Sequence, residues 1–328
     1  MRARLVVIAL MVAAYGAASC AGARPDDFAF LDAGSASGAG ARDASDEGRD
    51  GSAGGGGNAG EAGSTCYAEP YAKGASLDDL ATGYTTQAWQ VEALDAMKRR
   101  YPTAAFVLDQ EKDDPALADY ADPSSWPNLM LSLSTMVHEE THGWDFASSA
   151  GSTHAYVLRS DLFLSVPELP GMWPRSEVLP LLEDDATSLY DTTYLTGDQG
   201  AYDIVYLGEE LNAYVNGLAA VTAVADQLVT SLSARDAVAA HLYYLELYLR
   251  AGRTSHASAY ASLKGSAEWQ RFVRYEWARG HFWDGEARAS KRLGIDADRI
   301  WAHVAEAANE DEIRQFTGAE PTFVVCAP

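Results

Sequence analysis

Residues 21–65 consist mostly of Gly, Ala, Ser and Asp, including the run GSAGGGGNAGEAGS, and they divide the chain into a part that cannot bury a core and a part that can. A segment with so little apolar surface is expected to stay unfolded and to act as a tether. The core must come from residues 66–328, where apolar positions recur at helical spacing. TTQAWQVEALDAMKRRY, PNLMLSLSTMVHEETHGWDFASS, SEVLPLLEDDATSLYDTTYL, YDIVYLGEELNAYVNGLAAVTAVADQLV, SARDAVAAHLYYLELYLRA, SAEWQRFVRYEWARG and DADRIWAHVAEAANEDEIRQF all read as helices. THAYVLRSDLFLSV is the best strand candidate. The expected fold is one mainly α domain, residues 66–328, with a minor β element. Trp269, Phe272, Val273 and Trp277 stand at i, i+3, i+4 and i+8, the spacing of a core stripe. The run Glu183–Asp184–Asp185 reads as a solvated helix face.

The first 20 residues, MRARLVVIALMVAAYGAASC, have a basic start, an apolar run too short to span a bilayer and small residues after it. That is the pattern of a secretory signal peptide. Ala17-Ala18-Ser19-Cys20 resembles a bacterial lipobox, which implies lipidation of Cys20 and an envelope anchor; ordinary cleavage near Ala18 or Ala23 would release the chain instead. Export permits disulfides, and Cys66 and Cys326 open and nearly close the folded region, so a bridge between them is expected. With 24 basic and 47 acidic residues the net charge is -23, which repels nucleic acid and anionic lipid. Contact with a membrane is therefore expected only through the lipid.

The stretch TMVHEETHGWDF carries His138 and His142 four residues apart, with Glu139 directly after the first. On a helix, residues i and i+4 lie one turn apart on the same face, so both imidazoles can reach one ion. Zinc takes neutral nitrogen ligands and acidifies its water, and Glu139 is near enough to receive that proton. These residues resemble the H-E-x-x-H helix of zincin metallopeptidases; Thr135, Gly143 and Trp144 fit its flanks, whereas Glu140 stands where an uncharged residue is usual. The resemblance covers this helix and one later helix. It implies a Zn2+-dependent peptidase acting on peptide or protein substrates, with His138 and His142 as ligands and Glu139 as general base.

A third ligand is required. Ser148 occupies the position where the metzincin branch has its third histidine, which excludes that branch. In the gluzincin branch the ligand is a Glu from a later helix, and Glu210-Leu211-Asn212-Ala213 matches its Glu-x-x-Ala. Glu210 shares a helical face with Ala213, Tyr214, Gly217 and Val221, and the small residues would let two helices approach; Glu209 shares a different face with Asn212 and Asn216. Asp203 and His154 remain rivals for the third position. His241, His256, His281 and His303 stand alone and read as core or surface residues. Tyr214 and Tyr206 lie near the Glu210 face and are candidates for stabilising the oxyanion. Two other functions stay open: a non-catalytic helical envelope lipoprotein that binds a partner, and a zinc hydrolase of a non-peptide amide or ester.

Overall fold

The computed structural model describes residues 67–318. The signal peptide, the tether, Cys20, Cys66, Cys326 and the expected Cys66–Cys326 bridge lie outside the described residues. The described chain is mainly helical with one two-stranded antiparallel sheet, as its periodicity implies. In order it forms α1 (Asp78–Gly83), α2 (Trp89–Arg100), α3 (Pro102–Gln110), α4 (Trp126–Ser148), β1 (Thr153–Arg159), β2 (Leu162–Pro167), α5 (Leu189–Tyr194), α6 (Gly197–Gly200), α7 (Ile204–Ala223), α8 (Ala234–Ser255), α9 (Ala257–Gly265), α10 (Ala267–Ala287), α11 (Ala297–Val304) and α12 (Ala307–Thr317). Among the described residues, no helix is long and apolar enough to cross a membrane.

Local chemistry explains where the elements begin and end. Proline disfavours helical backbone in the residue before it, so α2 stops short of Pro102. Pro102 then serves as the first residue of α3, where a missing N–H costs nothing. Ser125 caps α4, its hydroxyl accepting the Asn128 N–H at 3.4 Å. The strand candidate folds into a hairpin in which Thr153 pairs with Pro167 and Arg159 with Leu162, with an irregularity between Val157 and Arg159. Segment 176–195 is not the single helix expected. It makes two 3₁₀ turns, Arg175–Leu181 and Asp184–Ala186, before α5. Pro180 sits inside the first turn and removes a backbone donor, and Ser188 with Asp191 forms a capping box that starts α5 afresh. The last periodic segment is likewise two helices, α11 and α12, separated at Ala305–Glu306.

Helix α7 runs through the middle of the core: every residue in it is buried except Tyr206 and Tyr214. It meets α4 at very short range. A Cβ on Gly217 would lie 2.5 Å from the Ser134 carbonyl oxygen and 3.4 Å from the His138 Cβ, so only glycine permits this approach. The stripe Trp269, Phe272, Val273 and Trp277 on α10 is buried, as expected. Just after the tether, Glu69 is buried and accepts hydrogen bonds from the Tyr67 hydroxyl, the Tyr101 hydroxyl and the Arg279 Nε, each at 2.8 Å.

Candidate metal centre

The close approach of α4 and α7 brings three ligand atoms together. The Nε2 atoms of His138 and His142 are 3.2 Å apart, and Oε2 of Glu210 is 3.8 Å from the first and 3.6 Å from the second. Tetrahedral zinc with ligand bonds of about 2.1 Å separates its ligand atoms by about 3.4 Å, so these three fit three corners of one coordination tetrahedron. The fourth corner would fall to a solvent molecule or a substrate. A second set of convergent ligand atoms among the described residues joins His303 with Glu183 and Asp185, both exposed, so His303 does not stand alone.

Charge favours a cation at the first set. Burial, helped by neighbouring His142, pushes His138 down to about 3, which leaves it neutral as a ligand must be. Its Nδ1 is buried without a hydrogen-bond partner. Burial alone would raise the Glu210 carboxyl, but the hydrogen bond and charge of His142 outweigh it and hold the group well below the usual carboxylate range. Burial alone would likewise lower His142, but Glu209 and Glu210 outweigh it and push the imidazole well up. In the metal-free protein a proton on His142 thus balances two carboxylates, and a divalent ion would displace that proton.

Glu209 does not point elsewhere, as its helical face suggested. Its Oε1 lies 2.9 Å from His142 Nδ1 and its Oε2 lies 2.6 Å from His154 Nε2. Once the second proton of His142 has left, the remaining Nδ1–H donates to Glu209 and the Nε2 lone pair faces the point between Glu210 and His138. His154 belongs to this supporting layer and is not one of the three convergent ligands. Asp203 is also outside them: it caps α7, its carboxylate accepting the Val205 N–H at 3.0 Å.

Glu139 is buried beside His138 and is not a member of the convergent set. Glu140 is buried with neither carboxylate oxygen hydrogen-bonded, and burial, with Asp114, Glu111 and Glu139 nearby, pushes it up to about 8. The Tyr214 ring centroid is 4.2 Å from that of His138, and its hydroxyl is 2.5 Å from the Tyr194 hydroxyl. Tyr206 stacks on Tyr202 and meets Phe146, which stacks on His142, so it stands one ring away from the ligands. His241, read from sequence as an isolated histidine, lies behind Tyr214 with ring centroids 4.7 Å apart. Its Nδ1–H donates to the Ala237 carbonyl at 2.9 Å, its Nε2 is buried without a partner, and burial pushes it down to about 4. A lone histidine on an apolar helix gave no sign of this neighbourhood. Among known proteins, no family model, no curated protein and no solved structure matches the chain.

Proposed function

We propose that the chain is a zinc-dependent hydrolase of peptide bonds, exported and held at the cell envelope by its N-terminal segment. The observation that carries this reading is the approach of three ligand atoms, His138 Nε2, His142 Nε2 and Glu210 Oε2, in an arrangement with room for one ion. Zinc bound there supplies a Lewis acid that acidifies water and polarises the substrate carbonyl. Glu139, adjacent to a ligand but outside the ligand set, takes the proton from the attacking water and returns it to the leaving nitrogen. Glu209, backed by His154, holds His142 in the tautomer that ligates. Tyr214, packed on His138, is the better placed of the two tyrosines to donate to the developing oxyanion.

The test is metal content and turnover in one series. Purified without chelators, the mature protein should carry about one zinc per chain. Glu139→Gln should keep that zinc and lose at least about a hundredfold in hydrolysis of an unfolded protein substrate, the size of a lost general base. Full turnover by that variant rejects the base assignment. A chain without zinc favours a binding protein of the envelope.

A further inference from the structure

The two helix faces that carry the ligands continue beyond them and line a small apolar pocket. Leu131, Ser134 and Thr135 stand seven, four and three residues before His138, on the same face of α4. Tyr214 stands four residues after Glu210 on α7. With Tyr190 of α5, Leu232 and Ser233 just before α8, and Ala234 and Ala237 in its first turn, they enclose a cavity of about 50 Å³. Its lining is aliphatic or aromatic except at Ser134, Thr135 and Ser233, and the Tyr190 hydroxyl pairs with Ser233 Oγ at 2.9 Å. At 1.5 Å of rise per residue, Thr135 and Ser134 lie about 4.5–6 Å along the axis from His138. Tyr214 is the shared wall: its ring packs on His138 and also lines the cavity.

Building on the hydrolase reading, we propose that this cavity receives the substrate side chain flanking the scissile bond and selects a small aliphatic residue, alanine or valine, against an aromatic one. An apolar cavity of about 150 Å³ holds a benzene ring, so one of a third that volume accommodates one to three carbons and excludes phenylalanine. A methylene gained or lost in such a pocket changes affinity about 10–200-fold. Leu131 is only partly buried, so shortening it enlarges the pocket with little disturbance of the core, whereas Ala234→Leu fills it.

The experiment is calorimetric titration of the zinc-loaded mature protein with the hydroxamates of glycine, valine and phenylalanine, chelating probes that need no turnover. The valine probe should bind about tenfold tighter than the glycine probe, and the phenylalanine probe at least about tenfold weaker than the valine probe. Leu131→Ala should bring phenylalanine level with valine. Ala234→Leu should erase the advantage of valine. Both variants should keep their zinc and the wild-type thermal midpoint. Equal binding of the three probes, or a preference unchanged in both variants, overturns the pocket and leaves the zinc reading intact. The expected preferences in a protein that cleaves no peptide support the pocket and overturn the hydrolase reading. A chain that holds no zinc overturns both.

Discussion

Helix α7 presents two buried polar constellations one turn apart, and they are opposites in how their polar demand is met. Asn212 and Asn216 face Arg279, which donates to Asn212 Oδ1 at 3.0 Å, Asn216 Oδ1 at 2.7 Å, Glu276 at 2.8 Å and Glu69 at 2.8 Å. The amide of Asn212 reaches Asp145 at 2.7 Å, and that of Asn216 reaches the Val157 carbonyl at 3.0 Å. Cation, carboxylates and amides pair with one another there, with Glu276 Oε2 alone left without a partner, so the cluster locks α4, α7, α10 and β1 together. At Glu210 two imidazole nitrogens and a carboxylate converge on one point, and His138 Nδ1 has no hydrogen-bond partner. A closed buried network fixes register; an open one of matching ligand types is a place for an ion.

Breaking the closed cluster has the largest effect on folding. Arg279→Met leaves Glu69 and Glu276 buried without their cation and should cost about 3–5 kcal/mol, read as a lower urea midpoint at unchanged slope. A loss below about 1 kcal/mol would show that the network contributes little beyond its packing.

Glu140 adds a third case, a buried carboxyl given neither cation nor donor. Its folded-state value of about 8 lies above the ordinary 4.5, so the native state keeps the proton longer than the unfolded chain. Its contribution to stability is therefore full below about pH 4.5 and lost as the pH rises through 8. Glu140→Gln removes that loss. It should leave stability unchanged near pH 4 and raise it by about 3 kcal/mol at pH 9, followed by thermal midpoints across that range. A difference that stays flat with pH contradicts the assignment.

The smallest effect belongs to the supporting layer. Glu209→Gln keeps the size of the side chain but weakens its hold on His142 Nδ1, and zinc affinity should fall about 10–100-fold with the fold intact. Competition with a chromophoric chelator measures this directly, and an unchanged affinity would return Glu209 to a purely structural role.

Much of this arrangement is legible in the sequence. The 3.6-residue period gives α4 and α7, the i, i+4 histidines give two of the three convergent side chains, and the small Gly217 marks the close approach that the Ser134 carbonyl requires. The role of Glu209 is not legible, for a physical reason. A helical wheel separates faces only when one of them meets solvent, and α7 is buried nearly all round, so Glu209 and Glu210 are both interior. The pairing of Glu209 with His154 depends on where β1 returns, which no local pattern encodes. His241 and Arg279 escape for the same reason: their partners come from distant segments, Tyr214 on α7 for one and Glu69 near the tether for the other. The apolar spacing of segment 176–195 is that of one helix, yet Pro180 and the Ser188–Asp191 capping box interrupt it.

The central claim is that Glu210 completes the ligand set, and zinc titration of the mature protein beside Glu210→Ala and Asp203→Ala tests it most directly. The wild type should bind about one zinc, and Glu210→Ala should lose more than the hundredfold expected for a supporting residue, because two imidazoles leave the ion largely hydrated. Asp203→Ala should keep wild-type affinity, since Asp203 only caps α7. Circular dichroism must show both variants folded. Tight zinc retained by a folded Glu210→Ala, or lost by a folded Asp203→Ala, would contradict the account.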